Sequence, residues 1–125
     1  MGWIGVDLDG TLAEYHGWAG ADEIGPPVTA MHNRVLAWIR EGKTVKCFTA
    51  RAFLAEQIPA VRAWLDAHGM QALEITCVKD FGMIELWDDR CVRVATNRGE
   101  ACCATAMTMC AGDGCETCGA WGEDR

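Results

Sequence analysis

Nowhere does the chain carry an apolar run long enough to span a membrane. Its first residues lack the basic and apolar regions of a secretory signal, so a cytoplasmic location is the expectation. Basic charge is scarce: 11 Lys and Arg against 18 Asp and Glu give a formal charge of -7. That balance argues against tight non-specific binding to nucleic acid or to an acidic membrane, since both depend on a cationic surface. A local basic pocket for one phosphate remains compatible with it. No internal repeat or low-complexity tract interrupts the order of the chain, and 125 residues leave room for one hydrophobic core.

Against that background one stretch stands out, Trp3 to Leu12, WIGVDLDGTL. An apolar run without polar alternation suits a central parallel strand covered on both faces, although its shortness also fits a buried helix segment. Asp7 and Asp9 follow where such a strand would leave its sheet, the end at which open α/β sheets bind ligands. Two carboxylates one residue apart repel, so a fold that keeps both ionised needs a cation or one raised pKa. The residues themselves suggest a magnesium site.

Residues 13–27 hold Gly17, Gly20, Gly25 and two prolines, the composition of a loop or flap too short for a domain. Met31, Val35 and Ile39 recur at helical spacing before Gly42. Thr44 to Phe48 predicts a second strand running into Thr49, Ala50 and Arg51. Leu54, Ile58, Val61, Leu65 and His68 form another helical stripe, in which Pro59 requires either a helix start or a kink. Leu73 to Val78 predicts a third strand followed by Lys79 and Asp80. Met83 to Trp87 predicts a fourth that ends on Asp88 and Asp89, and Cys91 to Ala95 alternates like a short edge strand. Strands alternating with helices imply parallel βαβ units with right-handed crossovers. Asp7, Thr49, Lys79 and Asp88 each fall just past an expected strand, so a parallel sheet would gather them at one edge.

DLDGT at Asp7, Thr49 after the second strand, Lys79 after the third, and the pair Asp88 and Asp89 resemble, in order, the four motifs of the haloacid dehalogenase (HAD) superfamily. The resemblance covers about the first ninety residues. It implies a three-layer, Rossmann-like parallel sheet with helices on both faces. Asp7 would be the nucleophile that forms an aspartyl phosphate. Asp9 would be the general acid that protonates the leaving oxygen, then the base that activates water. Thr49 and Lys79 would hold the transferring phosphoryl group, and Asp88, with Asp7 and the backbone carbonyl of Asp9, would hold Mg²⁺. Asp89 would complete the metal shell or orient Lys79. An acid two residues past the nucleophile marks the phosphatases and phosphotransferases of this superfamily, so phosphomonoester hydrolysis is expected rather than carbon–halogen cleavage. Short intervals between the motifs imply a capless member, open to solvent unless a partner subunit covers it. Substrate identity and oligomeric state stay open.

Plainer readings exist for each residue. Asp7 and Asp9 alone fit a solvated Asp-Gly turn, Thr49 a helix cap, Lys79 a surface lysine, and Asp88 with Asp89 a polar turn. Arg51 fits either a phosphate contact or a salt bridge to an acidic neighbour. His16 and Trp18 lie in the flap, where they touch substrate or do nothing specific. Trp38, Trp64 and Trp87 read as packing residues, and His32 and His68 as helix residues with local hydrogen bonds. Rival functions on the same residues are a nucleotidase or polynucleotide 3'-phosphatase, and a non-catalytic binding or zinc-assisted interaction module.

The eight cysteines, in a chain with no secretion signal, favour thiols or a metal over disulfides. Cys47, Cys77 and Cys91 lie in apolar runs where a thiol packs as a small apolar group. The division expected is 1–96 for the catalytic core and 97–125 for a Cys-rich tail, with a helix over Glu100 to Cys110. There Cys110, Cys115 and Cys118 are spaced C-x4-C-x2-C, and Cys103 lies two helical turns before Cys110. The four thiolates suit a tetrahedral structural zinc, although paired CxxC knuckles are missing and free thiols are the alternative.

Overall fold

A computed structural model of the chain describes residues 2–102. Two compact units divide the chain, Met1–Asp89 and Arg90–Arg125. The first is an α/β unit. Its strands β1 (Trp3–Val6), β2 (Val45–Phe48), β3 (Glu74–Thr76) and β4 (Met83–Trp87) form one sheet in the order β3-β2-β1-β4, with helices α1 (Thr29–Arg40) and α2 (Ile58–Ala67) between strands. Every neighbouring pair is parallel. All four residues of β1 are buried, as a central strand without polar alternation requires.

The register decides which side chains meet. Val6 pairs with Cys47 on one side and Trp87 on the other, and Cys47 pairs with Ile75. This row packs with Ile4, Val45, and Met31 and Val35 of α1, and with Val61, Trp64 and Leu65 of α2, in one apolar core. Because β1 to β2 and β2 to β3 step the same way, right-handed crossovers place both helices on the same face. Among the described residues, then, the expectation of helices on both faces is met on one face. Val6, Leu8, Leu12, Val35, Cys47, Val61 and Leu65 are fully buried. At about 1.5–3 kcal/mol for each buried Val or Leu, these contacts fix the ends of β1 and β2 against both helices.

Pro59 sits in the first turn of α2, where its missing N–H has no intrahelical acceptor to lose. Of the two alternatives that the proline allowed, the helix starts there, and residues 50–57 form two short 3₁₀ turns instead of an earlier helical turn. The third strand is shorter than expected and stops at Thr76, leaving Cys77, Val78 and Lys79 exposed on the connection to β4.

In the second unit, residues 91–95 are not the expected edge strand. Val94 makes a single bridge to Ala101, with Ala95 N–H bonded to the Glu100 carbonyl at 2.8 Å and Cys102 N–H to that of Arg93 at 2.6 Å. The physical reason is a reversal at Asn97, whose φ of 65° turns the chain back on itself so that its backbone groups are satisfied locally. The helix expected from Glu100 does not begin there, since Ala101 lies in that bridge. The rest of that helix and the proposed zinc ligands Cys103, Cys110, Cys115 and Cys118 lie outside the described residues. No helix among the described residues is long and apolar enough to cross a membrane.

Candidate active site

Val6 and Trp87 are cross-strand partners, so the next residues, Asp7 and Asp88, leave adjoining parallel strands side by side. Asp7 N–H is held by the Trp87 carbonyl at 2.9 Å, which continues the ladder past the strand. Asp7, Asp88 and Asp89 each present a carboxylate oxygen within 4.8 Å of the other two. Carboxylates 81 residues apart along the chain thus converge because two strands are in register.

Thr11 binds this group from the turn after β1. Its hydroxyl lies 3.1 Å from Asp89 Oδ1 and 3.5 Å from Asp7 Oδ2, and it accepts the Asp89 backbone N–H at 3.0 Å. Gly10, at φ +92°, permits the approach, since a Cβ there would collide with the Asp89 carboxylate. Two unit charges at 4.8 Å, the outer limit within the trio, repel by about 3 kcal/mol at an effective dielectric near 20, and three carboxylates make three such pairs. A hydrogen bond to a charged group returns roughly 1.5–3 kcal/mol. Repulsion therefore wins when all three carboxylates are ionised, and burial adds to it. Burial first, then the charges of Asp88 and Asp89, push the Asp7 carboxyl up to about 7.

Asp9 has the opposite surroundings. Arg51 grips it in a bidentate pair, Nε to Oδ2 at 2.7 Å and Nη2 to Oδ1 at 3.0 Å. The Arg51 side chain is 3% exposed. Its remaining donors reach into the flap: Nη1 to the Ala21 carbonyl at 3.0 Å and Nη2 to that of Glu23 at 2.9 Å. The Trp18 ring lies 4.8 Å from the guanidinium carbon. Of the two uses open to Arg51, the geometry places it on an acidic neighbour, with four of its five N–H groups engaged. The Asp7–Asp9 repulsion expected from their spacing is thus relieved locally at Asp9, and the like charges that act most on Asp7 come from β4.

Thr49 is buried, two residues beyond Cys47, and its hydroxyl accepts Arg51 N–H at 3.2 Å as the cap of the following 3₁₀ turn. Lys79 is not brought to the carboxylates by any ion pair. It is exposed three residues past β3, and its neighbour Asp80 is anchored elsewhere, accepting from Trp3 Nε1 at 2.9 Å and Gly82 N–H at 2.7 Å. Those bonds, the indole's above all, hold the Asp80 carboxyl below the usual carboxylate range. Trp3 is the first residue of β1, at the opposite end of the strand from Asp7.

Sequence reasoning missed the Thr11 bridge and the Asp80 anchor. The threonine had a signal, its place inside DLDGT. The anchor had none, since Trp3 and Asp80 are joined only by the fold.

The donor set fits a divalent hard cation. Three carboxylates offer oxygen ligands of the kind that hard divalent cations take. Asp9 is outside this trio, and its carboxylate is engaged by Arg51. Comparison with known families, curated proteins and solved structures gives no match.

Proposed function

We propose that the chain is a Mg²⁺-dependent phosphomonoester hydrolase of the haloacid dehalogenase type, working through an aspartyl phosphate on Asp7. The observation that carries this reading is the convergence of Asp7, Asp88 and Asp89 at adjoining strand ends, with the Asp7 carboxyl pushed up to about 7. A nucleophile and its cation ligands are then one cluster, and a cation is what would return Asp7 to the carboxylate form at neutral pH.

In this reading Asp7 and Asp88, with the Asp9 backbone carbonyl, would hold the cation, and Asp89, fixed by Thr11, would be a further ligand. Bound there, Mg²⁺ would offset the repulsion between the Asp7 carboxylate and a phosphate dianion and stabilise the equatorial oxygens. Asp7 Oδ attacks phosphorus as the ester P–O bond breaks, and the leaving oxygen takes a proton from Asp9, which must first take one up while Arg51 holds it. Water then attacks phosphorus, gives its proton to Asp9, and releases phosphate as the bond to Asp7 breaks. Arg51 orients Asp9 for both transfers through its bidentate grip. Thr49 and Lys79 are assigned to the phosphoryl group, Thr49 through its place beside Arg51 and Lys79 through an exposed ammonium that has to swing in.

A three-layer Rossmann-like core belongs to the same reading, with a covering layer on the sheet face of Trp3, Lys46 and Phe48, away from both helices. The short flap makes it a capless member.

A phosphate-ester panel with and without Mg²⁺ tests the proposal. It should include aryl phosphate, nucleotides, sugar phosphates and phosphorylated DNA ends. Magnesium-dependent phosphate release supports it, and the preferred ester separates a general phosphatase from a nucleotidase or polynucleotide 3'-phosphatase. Magnesium binding without release from any ester would make the chain a binding module instead.

A further inference from the structure

The flap forms an open pocket of about 180 Å³ bordered by Asp9, Glu14, Tyr15, His16, Glu23 and Ile24. It is a built feature rather than a gap in a loose loop. Glu14 N–H bonds the Pro26 carbonyl at 2.9 Å and Val28 N–H that of Leu12 at 2.8 Å, closing the base of the flap. Trp64 of α2 donates to the Gly25 carbonyl at 2.9 Å, and buried Arg51 holds the carbonyls of Ala21 and Glu23 from below. Gly25 lies so close to the Glu14 carbonyl oxygen that a Cβ there would overlap it.

We propose that this pocket receives the leaving group, and that it selects small phosphomonoesters whose alcohol carries an amine. The inference rests on the phosphatase reading, in which Asp9 protonates the leaving oxygen. The departing alcohol must then lie against Asp9, and this pocket is one that Asp9 borders.

Its size and charge set the class. At about 180 Å³ it falls below the ~300–1,000 Å³ of sites for drug-sized ligands and near the ~150 Å³ that admits benzene. An alcohol of roughly six heavy atoms or fewer fits. Asp9 is matched by Arg51. Glu23 has no side-chain hydrogen bond or ion pair among the described residues, and Glu14 meets only His16, 3.5 Å away with its side chain 87% exposed. Glu14 and Glu23 thus border the pocket with little opposing charge, and Tyr15 lies on the same wall. An ammonium is favoured there, and a second phosphate or a carboxylate is repelled.

The test is kcat/KM with Mg²⁺ for three esters of similar size: 2-aminoethyl phosphate, propyl phosphate and phosphoglycolate. Magnesium-dependent phosphate release from any of these esters or from aryl phosphate reports whether the catalytic reading itself holds. The amine ester should exceed the propyl ester by about tenfold or more, with phosphoglycolate lowest; tenfold corresponds to ~1.4 kcal/mol. In the doubly substituted Glu14→Gln, Glu23→Gln protein the amine-to-propyl ratio should fall toward one. Because both esters are measured on one preparation, the ratio does not depend on the fraction folded. Aryl phosphate turnover with equal amine and propyl values, or a preference that survives both substitutions, overturns the pocket assignment alone. No turnover of any ester, aryl phosphate included, overturns the phosphatase reading and this inference with it.

Discussion

Asp7 and Asp9 leave the same strand two residues apart, yet the fold gives them opposite surroundings. Asp7 turns toward β4 and meets Asp88 and Asp89, so its carboxyl is pushed up to about 7. Asp9 turns toward β2 and the flap, and meets a buried arginine in a bidentate pair. The first arrangement stores negative charge that only a cation or a proton can relieve. The second is complete without a ligand. Chemically identical side chains acquire different surroundings because their neighbours come from different parts of the sheet and its flap.

The largest effect that could break this contrast is at Asp7. Asp7→Asn should lower magnesium-dependent turnover by about 10⁴-fold or more while leaving the fold intact by circular dichroism. Substantial residual activity would remove Asp7 from the nucleophile's role. Asp9→Asn should slow turnover by about 10²–10⁴-fold with nearly unchanged magnesium affinity by calorimetry. Lost metal binding with a normal intrinsic rate would contradict the separation of the two carboxylates.

Arg51 sharpens the comparison through stability. Arg51→Met leaves Asp9 without its partner and the Ala21 and Glu23 carbonyls without donors, and should cost about 3–5 kcal/mol in denaturant unfolding. Adding Asp9→Asn to Arg51→Met should recover part of that loss, because the orphaned charge is then gone. A doubly substituted protein no more stable than Arg51→Met would show that the arginine acts through the flap alone.

The smallest effect concerns pH. Asp7 in the folded, metal-free protein keeps its proton up to about 7, against an ordinary value of 3.8. The folded state thus binds more protons than the unfolded chain between those values, so metal-free stability should fall as pH rises through that window. Asp7→Asn should remove this fall and stabilise the metal-free protein at pH 8 by on the order of 1 kcal/mol. Millimolar Mg²⁺ should raise the wild-type Tm and leave the Asn variant nearly unmoved. A wild-type Tm indifferent to both pH and Mg²⁺ would count against a strained acidic cluster.

Much of the scaffold was legible in the residues. The apolar WIGV run gave a central strand, Met31 and Val35 gave α1, and Met83 to Trp87 gave β4 with its observed bounds. The strand from Cys91 was not legible, because alternation alone cannot show that Asn97 reverses the chain and satisfies that segment locally. Lys79 was expected at a strand end, but pairing with β2 ends at Thr76. At the site, the places of Asp7, Thr49 and Asp88 just past strand ends were readable. The partners of Asp9 were not, because Arg51 had two equal uses until its depth and direction were known.

The order of residues alone settled the kinds of group available: carboxylates beyond apolar runs, an acidic balance, and a flap rich in glycine. Periodicity and turn chemistry act over a few residues, so they can be read directly. Which carboxylates share a charge cluster, which one receives the arginine, and how a fifteen-residue flap shapes a pocket were decided by strand register and packing depth. Those contacts join residues up to 82 positions apart, Asp7 and Asp89, and Coulomb energy depends on separation in space and on burial rather than on separation along the chain.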